Sequence, residues 1–104
     1  MSPRTQEKIG NVLLGQGKFA AAFEHYTGSL NIRRRLANAD DKNAGWQHDV
    51  SVSLENIGDV LQAQGKLSGA LESYEASLAI RERLATTDPQ NTGWQRDISV
   101  SHNK

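Results

Sequence analysis

Ile57-Gly58-Asp59-Val60-Leu61-Gln62-Ala63-Gln64-Gly65-Lys66-Leu67 decides the fold, because Ile9-Gly10-Asn11-Val12-Leu13-Leu14-Gly15-Gln16-Gly17-Lys18-Phe19 precedes it by 48 residues in the same pattern. The match continues in both directions. Overlaying residues 9–56 on 57–104 gives 26 identities in 48 positions, among them Tyr26 on Tyr74, Arg33 on Arg81 and Gly45-Trp46-Gln47 on Gly93-Trp94-Gln95. A repeat of this length marks stacked supersecondary units, each of which needs its neighbour to cover an apolar face. We therefore expect one domain over residues 1–104 with units 9–56 and 57–104.

Within a unit the apolar spacing is helical. Trp46, Val50, Leu54, Ile57 and Leu61 recur at steps of three and four, one stripe along a first helix, A. Gln64-Gly65-Lys66 stops it, with Gly65 suited to the left-handed position just past a helix end. Leu67, Ala70, Leu71, Tyr74, Leu78 and Leu84 then form the stripe of a second helix, B. Asp88-Pro89 closes the unit, since Pro drives the preceding residue out of the helical region and Asp can cap the next helix; Asp40-Asp41 holds that place in the first unit. No segment alternates apolar and polar residues as a strand requires. The expectation is an all-α chain with helices at 3–15, 18–38, 42–64, 67–86 and 90–102, folded as antiparallel hairpins.

Composition narrows the function. Twelve Lys and Arg balance twelve Asp and Glu, so the long-range field that draws basic proteins to nucleic acid or anionic membranes is missing. There is no Cys, which removes disulfides, thiolate metal sites and cysteine nucleophiles, and fits a reducing, cytoplasmic setting. No apolar run approaches the roughly 18 residues of a membrane span, and no leader pattern comes after Met1-Ser2-Pro3-Arg4. His25, His48 and His102 have no partner at metal-ligand spacing, and no Gly-rich phosphate loop succeeds a strand, so we expect neither enzyme chemistry nor a cofactor. Arg33-Arg34-Arg35 makes no single basic patch, because successive helical residues point ~100° apart. Arg33 and Arg81 instead lie beside the apolar stripe, where the stem packs and the head meets an acid. Asp49 and Asp97 are the expected acids. Trp46 and Trp94 recur on the stripe as packing residues, while Gly15, Gly28 and Gly69 have no Gly counterpart and no evident role.

These residues resemble the tetratricopeptide repeat, whose signature is W-x2-L-G-x2-Y, then A-x3-F, then P. Ile9-Gly10 and Ile57-Gly58 stand in the L-G places, Leu13 and Leu61 in the Tyr place, Ala22 and Ala70 in the Ala place, and Tyr26 and Tyr74 in the Phe place. Gln6 and Leu54 replace the Trp, Arg34 and Glu82 the Pro, and the period is 48 residues instead of about 34. The added length lies at the end of B and the start of A, similar to the long-helix repeats of kinesin light chain and related bacterial proteins. The resemblance implies a short right-handed α-solenoid whose A helices line a concave surface that holds an extended peptide or a partner helix. Carried over place by place, Asn11 and Asp59 come directly after the Gly on that surface, with Glu55 and Asn56 a turn before and Gln62 a turn after. His48 and Val52 extend the same face. Amide and carboxylate groups suit this role because they hydrogen-bond a peptide backbone without demanding a sequence.

Both ends of the sequence fall inside a helix A, so the chain reads as an interaction segment of a longer repeat protein. The alternative expectation is head-to-tail self-association. In it Trp94, Ile98 and Val100 of one copy pack near Ile9 and Leu13 of another.

Overall fold

A computed structural model describes residues 2–40 and 42–87. The expected helix 90–102, with Asp88-Pro89, Trp94, Asp97, Ile98, Val100 and His102, lies outside the described residues. The rest is four α-helices in sequence, each starting and stopping on local chemistry. The Ser2 side chain accepts from the Thr5 N–H at 3.2 Å and Pro3 takes the first helical position, which starts α1, Pro3–Gly15. Gly17 ends it with φ of 77°, and Gly65 repeats that angle after the third helix. At both ends the next two N–H groups turn back into the last turn: Gly17 to Leu14 O at 3.0 Å and Lys18 to Leu13 O at 2.9 Å, then Gly65 to Gln62 O at 3.0 Å and Lys66 to Leu61 O at 2.8 Å. This is a Schellman arrangement, which only glycine adopts without strain.

Helices α2, Phe19–Ala39, α3, Ala44–Ala63, and α4, Leu67–Thr87, complete the order. The bounds of all four helices fall within two residues of those expected. The cap of α3 is a correction, because Asn43 accepts from the Trp46 N–H at 3.2 Å while Asp40 ends α2 by donating its own N–H to Leu36 O. The amide sits directly before the helix, the place a cap must occupy.

Each helix packs on the next in chain order, α1 on α2, α2 on α3 and α3 on α4. The core is built at the α2–α3 contact from Ala22, Tyr26, Leu30, Ala37, Val50, Leu54, Ile57 and Val60, with Trp46, Phe19, Phe23 and Leu61 packed at its edges. Trp46 is thus a packing residue, as its place on the stripe indicates. On α4 the stripe divides: Ala70 and Leu84 are buried, whereas Leu67 and Leu71 are exposed.

Gly10 and Gly58 let the helices of each hairpin approach. A Cβ at Gly10 would lie 2.7 Å from Tyr26 Cε1, and one at Gly58 would lie 2.7 Å from Tyr74 Cε1. Gly58→Ala must push the Tyr74 ring aside. Overpacking costs ~1–3 kcal/mol, against up to ~1 kcal/mol returned by the better helix former. Net destabilisation is the expected result, and thermal melts of Gly58→Ala beside the open-space control Gly15→Ala check it. Nothing lies within 4 Å of a Cβ at Gly15, and the structure gives no reason for glycine there.

Candidate protein-binding face

The two tyrosines that lie over these glycines also reach the residues directly after them. Tyr26 Oη donates to Asn11 Oδ1 at 2.5 Å, and Tyr74 Oη donates to Asp59 Oδ1 at 2.5 Å. The same hydroxyl lies 3.0 Å from Gln62 Oε1, so its one proton is shared between a carboxylate and an amide. Asn11 and Asp59 stand one residue after Gly10 and Gly58, which places each within reach of the ring that the glycine admits. Burial pushes the Tyr26 hydroxyl above its ordinary 10.0, and the Asp59 and Glu7 carboxylates push it further. Tyr74 is raised more strongly by burial, the bond to Asp59, and the charges of Asp59 and Glu55. Tyr26 of α2 therefore senses carboxylates on both α1 and α3. Three side chains of the expected face, Asn11, Asp59 and Gln62, are thus anchored to B helices.

A second pair of contacts holds each hairpin. Arg33 pairs with Glu7 at 2.7 Å, and Arg81 pairs with Glu55. Both guanidinium groups are buried, Arg33 with 9% and Arg81 with 8% of the side chain exposed. Asp49, the partner that the sequence suggests for Arg33, is a correction. It contributes only its backbone carbonyl, to which Arg33 Nη1 donates at 3.4 Å, while the same nitrogen donates to Ser53 Oγ at 2.9 Å. Glu7 wins because it lies on α1, directly across the hairpin from Arg33, so the charge pair closes within a unit and the guanidinium reaches the next unit through neutral acceptors. The counterpart Asp97 lies outside the described residues. The sequence does carry a signal for the true pairs: Glu7 and Glu55 occupy one repeat place, as Arg33 and Arg81 do.

The two hairpins differ beneath these ion pairs. In the second, Ser51 accepts from Arg81 Nε at 3.3 Å through its hydroxyl, and from the Ser77 hydroxyl at 2.9 Å through its carbonyl. Pro3 stands at that place in the first, and the corresponding Arg33 Nε and Ser29 Oγ are buried without a hydrogen-bond partner. A proline has no hydroxyl to offer the Arg33 guanidinium, but it keeps its carbonyl, so the unpartnered Ser29 hydroxyl is not explained by the proline.

Of the remaining candidates, His48, Val52 and Asn56 are half-buried on α3, and Asn56 Nδ2 is buried without a partner. Ile9 and Leu13 are half-buried on α1. His25 is half-buried with Nδ1 3.2 Å from Gln6 Oε1. Gln6 explains Gly28, where a Cβ would lie 2.8 Å from its amide nitrogen. The overlay carries this signal too, since Gln6 and Gly28 stand where the second unit has Leu54 and Ala76. Among the described residues no three His, Asp or Glu side chains converge as metal ligands. No described helix is long and apolar enough to cross a membrane.

Consecutive antiparallel helices with recurring contacts define a helical-repeat protein. A family model of the tetratricopeptide repeat matches residues 2–83, and the chain belongs to that family. A search of the curated proteins gives no match to it. Tetratricopeptide repeats are in general non-catalytic, and the family gives the chain a role in protein–protein interaction or scaffolding, with proteins as partners.

Proposed function

We propose that the chain is a non-enzymatic, cytoplasmic interaction module that holds an extended peptide or a partner helix along the face of α1 and α3. The supporting observation is the matched pair Asn11 and Asp59, each fixed by a tyrosine hydroxyl at 2.5 Å. Each keeps polar capacity for a ligand: Asn11 its Nδ2 hydrogens for a peptide carbonyl, and Asp59 its Oδ2 for a peptide N–H. Prior fixation matters because a side chain already held in one rotamer loses less entropy on binding. Glu55, Asn56 and Gln62 lie a turn to either side of Asp59 on this face, and His48 and Val52 extend it along α3. Glu55 is neutralised by Arg81, so Asp59 is the carboxylate with charge to offer.

A peptide selected from a random library against the wild-type chain provides the probe. Loss of one hydrogen bond to a charged group is worth ~1.5–3 kcal/mol, so Asp59→Ala is expected to weaken binding by about tenfold or more. Asn11→Ala should weaken it by less, and the double variant by more than either. Isothermal titration measures this, with circular dichroism confirming retained helix. Equal affinity in the wild type and the double variant contradicts the assignment.

A further inference from the structure

Asp59 differs from the carboxylates that flank it on α1 and α3. Glu7 is closed by Arg33 and Glu55 by Arg81, so each of those charges is neutralised across its own hairpin. Asp49 belongs to the far end of α3, beside Arg33 and Trp46. Asp59 instead accepts at Oδ1 from the Tyr74 hydroxyl at 2.5 Å, and among the described residues no cation pairs with it. Its charge is held in place by a neutral donor and left uncompensated.

The hydroxyls around Asp59 have no hydrogen to give a ligand. The Tyr26 proton goes to Asn11 Oδ1, and the Tyr74 proton is shared between Asp59 Oδ1 and Gln62 Oε1. Burial first, and Asp59 after it, hold both protons above the ordinary 10.0, so both tyrosines stay protonated and both protons stay spent. A group that meets Asp59 must therefore donate, and a cation also answers the open charge. The geometry favours an ammonium over a guanidinium. Arginine gains most by meeting both carboxylate oxygens at once, and Oδ1 is already engaged by Tyr74. An ammonium is a point donor that needs only Oδ2.

Asn11 is the chain's own neutral comparison. It holds the same repeat place and takes the same bond from its tyrosine, also at 2.5 Å, without a charge. We infer that the partner is a lysine-bearing segment whose ammonium binds Asp59, while Asn11 holds backbone, so that the single charge fixes the segment's register along the face. The inference rests on the binding face proposed above and names what that face selects.

Peptides selected from a random library on the full chain, and in parallel on Asp59→Asn, test this. The variant keeps an oxygen for Tyr74 as Asn11 does for Tyr26, and circular dichroism checks that it folds. Lysine is expected to be enriched at one position with the wild type and not with Asp59→Asn. Exchanging that lysine for norleucine keeps the carbon stem and removes the ammonium. It should weaken binding to the wild type by about tenfold or more, and to Asp59→Asn by less than about twofold. Lys8 and Lys104 stand at the repeat place of Asn56, and Lys104 lies outside the described residues, so Lys8→Ala and Lys104→Ala are compared as well. Both should show the wild-type lysine preference. A preference that emerges only in one of these two variants would mean that the chain's own ammonium meets Asp59, and overturns the inference. Peptides that need Asn11 and Asp59 but carry no lysine, or whose lysine is exchanged at no cost or at equal cost in Asp59→Asn, overturn it while the face stands. Peptides indifferent to the Asn11→Ala, Asp59→Ala double variant, or no selected peptide at all, overturn the face and the inference with it.

Discussion

Glu55→Ala is expected to destabilise the chain by ~3–5 kcal/mol, the cost of leaving one partner of a buried ion pair uncompensated. Arg81 has 8% of its side chain exposed and Glu55 13%, so water can replace little of the lost carboxylate. Domains of this size are stable by about 5–15 kcal/mol in total, and each kilocalorie is worth roughly 4–8 °C of melting temperature. The thermal melt should therefore fall by at least about 12 °C. Glu7→Ala should cost less, because Glu7 is 23% exposed and water can reach more of the place it leaves. Replacing both partners of the second pair, Glu55→Leu with Arg81→Met, should recover most of the loss, since a packed apolar pair avoids the buried charge altogether. Melts of Glu55→Ala and Glu7→Ala that agree within about 2 °C would show that burial does not set the worth of the two pairs.

Tyr26→Ala is the second large effect. Tyr26 is 1% exposed, fills the space beside Gly10 and anchors Asn11, so truncation opens a cavity in the core. Aromatic-to-alanine changes at such sites cost ~3–5 kcal/mol. The half-buried Tyr74 should lose less on the same change. Tyr26→Phe separates the hydroxyl from the ring and should cost only ~1 kcal/mol, the net worth of one hydrogen bond. The hydroxyl also gives a pH signature. Burial, with Asp59 and Glu7, raises the folded-state value of Tyr26 above the ordinary 10.0 of the unfolded chain. Below that ordinary value both states are protonated and the stabilisation is fully present; above it the unfolded state releases its proton first, and stability is lost as pH rises through the folded value. Denaturant melts across the alkaline range should therefore decline less steeply for Tyr26→Phe than for the wild type.

The architecture is legible in the sequence because a repeat counts each structural role twice. A glycine at Gly10 alone is ambiguous, but with Gly58 and the paired Tyr26 and Tyr74 it marks a close approach of two helices. The repeat also hides some contacts. Glu7 stands before the first full unit, which begins at Ile9, so spacing within the units points Arg33 to Asp49 in the next helix and not to the acid across its own hairpin. Asn43 is masked as a cap by the Asp-Pro punctuation of the second unit, which points to Asp40-Asp41 as its counterpart. The split of the α4 stripe is hidden for a different reason. Periodicity marks which face is apolar, but whether Leu67 and Leu71 are covered depends on which neighbour lies against them. Spacing after the glycine is enough to pair Asn11 with Asp59. The tyrosine hydroxyls that fix them are out of its reach, because a bond across 15 residues depends on the helix crossing and not on the residues between.

Partners are expected to bind along α1 and α3 through Asn11 and Asp59. Two-dimensional amide NMR spectra of the wild-type chain, titrated with a library-selected peptide, test this most directly. Binding at this face predicts shifts concentrated at Asn11, Val52, Asp59 and Gln62, including the side-chain amides of Asn11 and Gln62, with the exposed face of α4 around Glu72 and Glu75 unmoved. Shifts concentrated on α4, with Asn11 and Asp59 silent, would contradict it.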